Sequence, residues 1–313
     1  MIERVVIVTK KTPLEELVER FNSRAQARFY IEHLGGSFEE YAAADARYAA
    51  SVERLKRSIP RSLKTQLIER SFLPNFLFSD DCLVVTIGPD GLVVNTAKYL
   101  TRQPILAVNP DPERVDGILI PFAVEEAGEW VARAAEGRAA VQPVTMAKAT
   151  LNTGQSLYGF NDLFIGPQSH ISARYRIEFA GKAEDQMSSG IIVSTGAGST
   201  GWLQSIVTGA CRVAAGASKA KVAPPDQEQY RLPWDAEELY FTVREPFTSR
   251  ISKANIVFGR IRRRQSLVLR SYMPERCVIF SDGIESDYLA FTAGTVATIG
   301  IADRKANLIV RNP

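Results

Sequence analysis

Residues Asp81 to Tyr99 read DCLVVTIGPDGLVVNTAKY. Cys82-Leu83-Val84-Val85-Thr86-Ile87 is a short apolar run rich in β-branched residues, as expected of a buried parallel strand. It stops at Gly88-Pro89-Asp90-Gly91, and Leu92-Val93-Val94 opens an apolar pattern with helical spacing through Ala97 and Leu100. Strand, glycine turn and helix bring backbone close to a phosphate and aim a helix N-terminus at it. Asp90 is the unusual member. A carboxylate beside a phosphate repels it, unless a metal lies between or the acid takes a proton from an attacking hydroxyl. Pro-Asp-Gly is also ordinary turn chemistry, so the tetrapeptide alone leaves both readings open.

The surrounding sequence suggests a doubly wound domain. Arg4 to Thr9 (RVVIVT) is a second buried-strand candidate, and Thr12-Pro13-Leu14-Glu15 carries a Thr N-cap, Pro at the first helical position and Glu at N3. Phe38 to Phe72 has helical periodicity broken at Pro60, which predicts one long helix and then a shorter one. Pro104 to Asn109 is a further short strand, Gly117 to Phe122 a β-like run, and Glu125 to Gly137 a helix that closes the first domain.

Beyond Pro143 the pattern changes. Phe160–Ile165, Ala173–Phe179, Gly190–Thr195, Glu238–Val243, Gln265–Arg270, Cys277–Phe280 and Thr295–Ile299 are short strand-like segments separated by turn residues, as in an antiparallel β domain. Gly216 to Tyr230, rich in Ala, Lys, Pro and Gln, reads as a mobile insertion. The expected division is an α/β domain over 1–140 and a β-rich domain over 141–313, with the last strand able to return to the first.

Composition narrows the function classes. The 313 residues are 45% hydrophobic and 23% charged, as in a soluble globular protein, and a net charge of +3 gives no argument for a nucleic-acid partner. Arg260 to Arg264 reads as an exposed strand end. Two histidines, His33 and His170, are too few for a His-based metal site or triad. Cys82, Cys211 and Cys277 read as free thiols in a reducing cytoplasm. Neither a membrane span nor a signal peptide is expected.

A second stretch, Ser188 to Trp202 (SSGIIVSTGAGSTGW), places Gly196, Gly198 and Gly201 in a GxGxxG pattern. A dehydrogenase needs an acid about twenty residues further on to hold a ribose diol. Gly216 to Val222 contains none.

Taken in order, Gly88-Pro89-Asp90-Gly91-Leu92, Asn161-Asp162 and Gly198-Ser199-Thr200-Gly201-Trp202 resemble the NAD kinase family. Its pattern is GGDGT after a strand, then an Asn-Glu pair, then a Gly-Ser-Thr loop opening a helix. Asn109 to Arg114, Asn161 to Gly166, Ser188-Ser189-Gly190 and Arg244-Glu245-Pro246 look most like the mitochondrial-type branch, and Ser281-Asp282-Gly283 resembles the family's late Asp-Gly turn. The resemblance covers roughly residues 80 to 313 and implies an NAD kinase/diacylglycerol kinase-like fold. It further implies phosphorylation of the adenosine 2′-hydroxyl of NAD by ATP with Mg²⁺, in a homodimer or homotetramer. Carried over by position, Asp90 is the general base, and Gly88 and Gly91 admit the triphosphate. Asn161 and Asp162 bind adenine and a ribose hydroxyl, and Ser199, Thr200, Gly201 and Trp202 line the NAD pocket. No protein side chain is implied as a resident metal ligand.

Departures from the pattern are Pro89 for glycine, Leu92 for threonine, Asp162 for glutamate and Ala197 for Ser or Thr. Two alternatives therefore stand beside the kinase: a non-catalytic nucleotide-binding relative, and a diacylglycerol or sphingoid lipid kinase of the same plan. Pro89 lacks the N–H that a glycine would present to a phosphate. Pro89→Gly is expected to lower the apparent Michaelis constant for ATP by about tenfold, the worth of one charge-assisted hydrogen bond, and to leave that for NAD alone. Steady-state kinetics with each substrate varied check this, and unchanged ATP kinetics would discard the missing-donor account.

Overall fold

The structure, a computed structural model, describes residues 2–217, 226 and 230–311. It divides into two compact units, Met1–Gln142 with Asn307–Pro313, and Pro143–Ala306.

The first unit contains β1 (Arg4–Thr9), α1 (Pro13–Phe21), α2 (Arg24–His33), α3 (Phe38–Ser58), β2 (Lys64–Glu69), β3 (Cys82–Ile87), α4 (Asp90–Ala97), β4 (Pro104–Asn109), β5 (Phe122–Ala123) and α5 (Val124–Ala135). Strands β2, β1, β3 and β4 lie side by side in that order, all parallel, with Val5 opposite both Thr65 and Leu83. β1 and β3 are buried along nearly their whole length, which is why their sequences are unbroken apolar runs. α3 and α5 cover the sheet. α5 contributes Val124, Ala127, Val131 and Ala134, one stripe at spacings of three and four, while α3 contributes Val52 and Leu55.

The chain leaves β1 towards β2 on one side and β3 towards β4 on the other, which makes the carboxyl ends of β1 and β3 the topological switch point. A single hydroxyl bridges them. Tyr48 of α3 donates to the Ile87 carbonyl at 2.9 Å and accepts the Lys10 N–H at 3.1 Å. Burial pushes its hydroxyl up to about 12, so it keeps the proton it donates. The expected capping box at α1 is present, with Thr12 Oγ1 accepting from Glu15 N at 3.2 Å and Glu15 Oε2 from Thr12 N at 2.7 Å.

Two expectations need correction here. The shorter helix after Pro60 is instead β2 and a 3₁₀ turn over Arg70–Asn75. β2 is an edge strand with only Ile68 buried, so it lacks an apolar run, and Pro60 ends the helix before it. The β-like run from Gly117 is a loop until Phe122, because its amides turn towards Asp90 rather than a neighbouring strand. A separate helix, α2, follows α1 after a left-handed Asn22.

The second unit is antiparallel β. Its strands are β6 (Ala140–Leu151, entering from the first unit), β7 (Ser156–Gly159), β8 (Asp162–Pro167), β9 (Ala173–Phe179), β10 (Lys182–Ser188), β11 (Ile191–Ser194), β12 (Glu238–Val243), β13 (Phe258–Arg262), β14 (Leu267–Ser271), β15 (Cys277–Ser281), β16 (Ile284–Ala290) and β17 (Val296–Val310). One sheet runs β10-β9-β14-β17, with β6 on β17 and β7 on β6. The other runs β13-β12-β11-β8-β15-β16. Their facing side chains, among them Leu163, Ile165, Ile177, Ile191, Val193, Phe241, Leu269 and Ile299, form one core. α6 (Trp202–Ala217) follows β11, and Leu203 packs with Tyr230, Leu232 and Tyr240.

β17 serves both units. Val296–Ile299 pairs antiparallel with β14, and Asn307 and Leu308 pair parallel with β4. Of the segment expected as a mobile insertion, residues 218–225 and 227–229 lie outside the described residues, while Gly216 and Ala217 end α6. Cys82 and Cys277 are buried free thiols, each pushed up to about 12 by burial, and Cys211 is a half-buried free thiol on α6. Among the described residues no helix is long and apolar enough to cross a membrane.

Candidate functional site

The glycine turn of the first unit sits at the carboxyl end of β3. Pro89 is the N-cap of α4, its carbonyl accepting Leu92 N at 2.9 Å, and Asp90 is the first helical residue. Leu92 is buried, and a Cβ on Gly88 would stand 2.9 Å from its Cδ2, so the leucine that replaces threonine closes the turn from inside. Gly91 is different. It is exposed, and a Cβ there would meet nothing within 4 Å, so packing within the protein does not require a glycine.

The Asp90 carboxylate turns away from its own helix. Its Oδ2 accepts Ile118 N at 3.0 Å and its Oδ1 accepts Leu119 N at 3.1 Å. A Cβ on Gly117 would lie 2.9 Å from Asp90 Oδ1 and 2.1 Å from Ile120, so this loop closes on the acid only as glycine. Asn109 holds the preceding turn, its Nδ2 donating to the Val115 carbonyl at 2.7 Å and its Oδ1 accepting Asp111 N at 3.0 Å. Each Asp90 oxygen retains one lone-pair position beyond these contacts. Loop 117–119 was invisible as a partner because it recognises the carboxylate through backbone amides.

In the second unit three separated motifs meet. β15 and β16 are joined by a two-residue hairpin turn, Asp282-Gly283, with both residues at positive φ (57° and 71°). The Asp282 carboxylate accepts Asn161 N at 2.7 Å, Phe160 N at 3.0 Å and Asp162 N at 3.2 Å. Thr195 fastens the same segment from the other side. Its N–H donates to the Asn161 carbonyl at 2.9 Å, its hydroxyl donates to the Phe160 carbonyl at 2.6 Å and accepts Gly198 N at 3.2 Å. A Cβ on Gly198 would stand 2.1 Å from the Asn161 carbonyl oxygen, and one on Gly196 2.0 Å from that of Pro233. Two glycines of the GxGxxG pattern are thus explained by chain-to-chain contact, without a pyrophosphate.

Within this cluster Asn161 is half-buried, Asp162 is buried, and Thr200 and Gly201 are exposed. Ser199 is fully buried, its hydroxyl donating to the Gly196 carbonyl at 2.7 Å and accepting Leu232 N at 3.4 Å. Burial, reinforced by the Asp282 carboxylate, pushes Asp162 up to about 7. Trp202 opens α6. It stacks on Phe164 (centroids 5.8 Å, planes 12° apart), carries the Arg244 guanidinium 5.5 Å from its ring, and lines a cavity of about 240 Å³ with Phe280, Gln168 and Glu285. Among the described residues no group of three or more His, Cys, Asp or Glu side chains is placed to hold a metal ion.

No protein-family description matches the chain. No curated protein matches it either. Solved structures do. Yeast NADH kinase, complexed with NADH, aligns over 100% of this chain and 84% of its own at 15% identity with a TM-score of 0.57. An NAD kinase from Archaeoglobus fulgidus, in complex with ATP, aligns over 98% of this chain and 93% of its own at 15% identity with a TM-score of 0.54. At such identities the likeness is one of fold. The observed architecture is the two-domain NAD kinase fold, and neither neighbour singles out the mitochondrial-type branch.

Two outcomes are expected of the second-unit cluster. Gly198→Ala forces the turn off the Asn161 carbonyl and should destabilise the protein by more than about 2 kcal/mol, read as a lowered denaturant midpoint. Asp162 gives a pH signature. Folding raises its affinity for a proton, so the folded chain holds one where the unfolded chain has released it. Stability therefore falls as pH rises from near 3.8 to about 7 and levels off above. Asp162→Asn should remove that decline, worth at most about 4 kcal/mol, and be the more stable protein at pH 8. Urea midpoints measured from pH 4 to 8 decide it: equal slopes for parent and variant would refute the assignment.

Proposed function

We propose that the chain is an NAD kinase-type phosphotransferase that uses ATP to phosphorylate the adenosine 2′-hydroxyl of NAD, giving NADP. The observation that carries the reading is the meeting of Asn161-Asp162, the Thr195–Thr200 turn and the Asp282-Gly283 hairpin in one hydrogen-bonded cluster. The resemblance assigns the dinucleotide to Asn161-Asp162 and to Ser199–Thr200 and likens the hairpin to a late Asp-Gly turn, and nothing in an ordinary β sandwich requires the three to converge. NADH and ATP in the two structural neighbours support the same substrate classes.

In this reading the 2′-oxygen of NAD attacks the γ-phosphorus of ATP, the bond to the bridging oxygen breaks, and ADP leaves. Asp90 receives the hydroxyl proton on a lone pair that Ile118 and Leu119 leave open. The two amides fix the carboxylate's direction. Gly91, exposed and without a packing need for glycine, leaves room for the donor at the first turn of α4. A divalent ion such as Mg²⁺, carried by the donor's phosphates, supplies charge neutralisation when bound. Asn161 and Thr200 present polar groups to the adenine side, and Trp202 offers a ring face.

A second reading, nucleotide binding without transfer, is favoured by the two amides already held by Asp90 and by Pro89 in place of a donor glycine. Incubation with NAD, ATP and Mg²⁺, with NADP followed by an NADP-specific dehydrogenase, separates the two. NADP is expected to form, and Asp90→Asn to slow it by about 10²–10⁴ while the thermal shift given by NAD persists. No NADP from a parent that binds both nucleotides would establish the second reading, and an Asp90→Asn variant as fast as the parent would remove the base.

A further inference from the structure

A phosphate site at the first-unit turn lacks a cation within its own sequence, since Gly88 to Leu92 contains none. The nearest strand end supplies one. Lys10 directly follows β1, the immediate neighbour of β3 in the sheet. The Tyr48 hydroxyl holds the Lys10 amide and the Ile87 carbonyl together, 3.1 and 2.9 Å from one oxygen. A lysine side chain is longer than the roughly 4.8 Å between neighbouring strands, so from the end of β1 its length is enough to reach the end of β3.

Lys10 stands among acids that are hydrogen-bonded to other groups. It is half-buried and lines a cavity of about 360 Å³ with Lys11, Tyr48 and the acids Glu15, Asp45, Glu53 and Glu69. Each acid is engaged: Glu15 with Thr12 N at 2.7 Å, Asp45 with the Thr12 hydroxyl at 2.6 Å, Glu53 with Lys56 at 2.6 Å and Glu69 with Ser71 N at 3.1 Å. Lys11 is held by Glu19 at 2.6 Å. Among the described residues the Lys10 ammonium has no ion-pair partner. The acids repel an anion from this cavity. At the N-terminus of α1, the Glu15 and Thr12 side chains already take up the amides of Thr12 and Glu15.

We propose that Lys10 is a phosphate-binding residue for the polyphosphate donor, gripping it from the end of β1 across the switch point from the Gly88–Gly91 turn. The proposal rests on the kinase-type reading of that turn. Lys10 provides a contact of the strength that Pro89 takes away, by charge rather than by a backbone donor.

Calorimetric titration of the full chain with Mg²⁺-free tripolyphosphate and with ATP tests it without any turnover. Lys10→Met and Lys10→Gln should each bind both ligands about tenfold or more weakly, the loss of one charge-assisted contact. Lys11→Met, whose ammonium is already paired, should stay within about threefold of the parent. Thermal melts identify any variant that fails to fold, and either Lys10 variant suffices. If both folded Lys10 variants bind like a parent that does bind, Lys10 is excluded and the donor turn stands. If Lys11→Met loses as much, the attraction is diffuse and the proposal falls. A parent that binds neither polyphosphate overturns the donor site itself.

Discussion

One carboxylate organises the polar part of the second unit. Asp282 takes up the amides of Phe160, Asn161 and Asp162, which all point the same way where the chain turns from β7 into β8. Such a concave row of N–H groups is an anion nest, and left empty in the interior it would cost the desolvation of each donor. Filling it from the next hairpin has a second effect. Burial already raises the proton affinity of Asp162, and the carboxylate that satisfies the amides adds negative charge beside it and reinforces that rise. Thr195 and Gly198 then close on the same segment from β11, and the exposed Thr200 and Gly201 are carried by a frame made almost wholly of backbone contacts.

The first unit obeys a different constraint. Parallel strands buried on both faces have no room for polar side chains along their length, so the chemistry gathers where they end. Two devices keep those ends in order. Tyr48 spans β1 and β3 through a hydroxyl that keeps its proton, and Gly117 lets the 117–119 loop approach Asp90 closely enough to direct it. Both act through main-chain atoms. The turn's own departures fit this arrangement, with Leu92 filling the space under Gly88 and Pro89 starting α4.

This reliance on backbone explains which parts of the molecule were legible in the sequence. β1, β3, β4 and α1 declared themselves, because continuous apolar runs and a capping box are side-chain patterns. The motifs at Asp90, Asn161-Asp162 and Gly198–Trp202, as an ordered set, pointed to the fold. β2 did not declare itself, since an edge strand buries a single residue, and β10 did not for the opposite reason. Its inward residues are Glu184, Gln186 and Ser188, bonded to Asn255, Ile256 and Tyr175, so its buried face is polar and its hydrophobic period vanishes. The clamps formed by Thr195, Asp282 and loop 117–119 left no trace of their partners, because an amide looks the same at every residue.

β17 has a consequence for the order in which the protein assembles. Its final residues flank β4, yet they are made only after every residue of the second unit has been synthesised. At about 5–20 residues per second, Pro104 and Ile105 wait on the order of ten seconds for their partners, while β5 already pairs with Val108 and Asn109. A bare strand edge invites pairing with other chains. Between translating β4 and translating Asn307, only this short part of the edge stands open to such pairing.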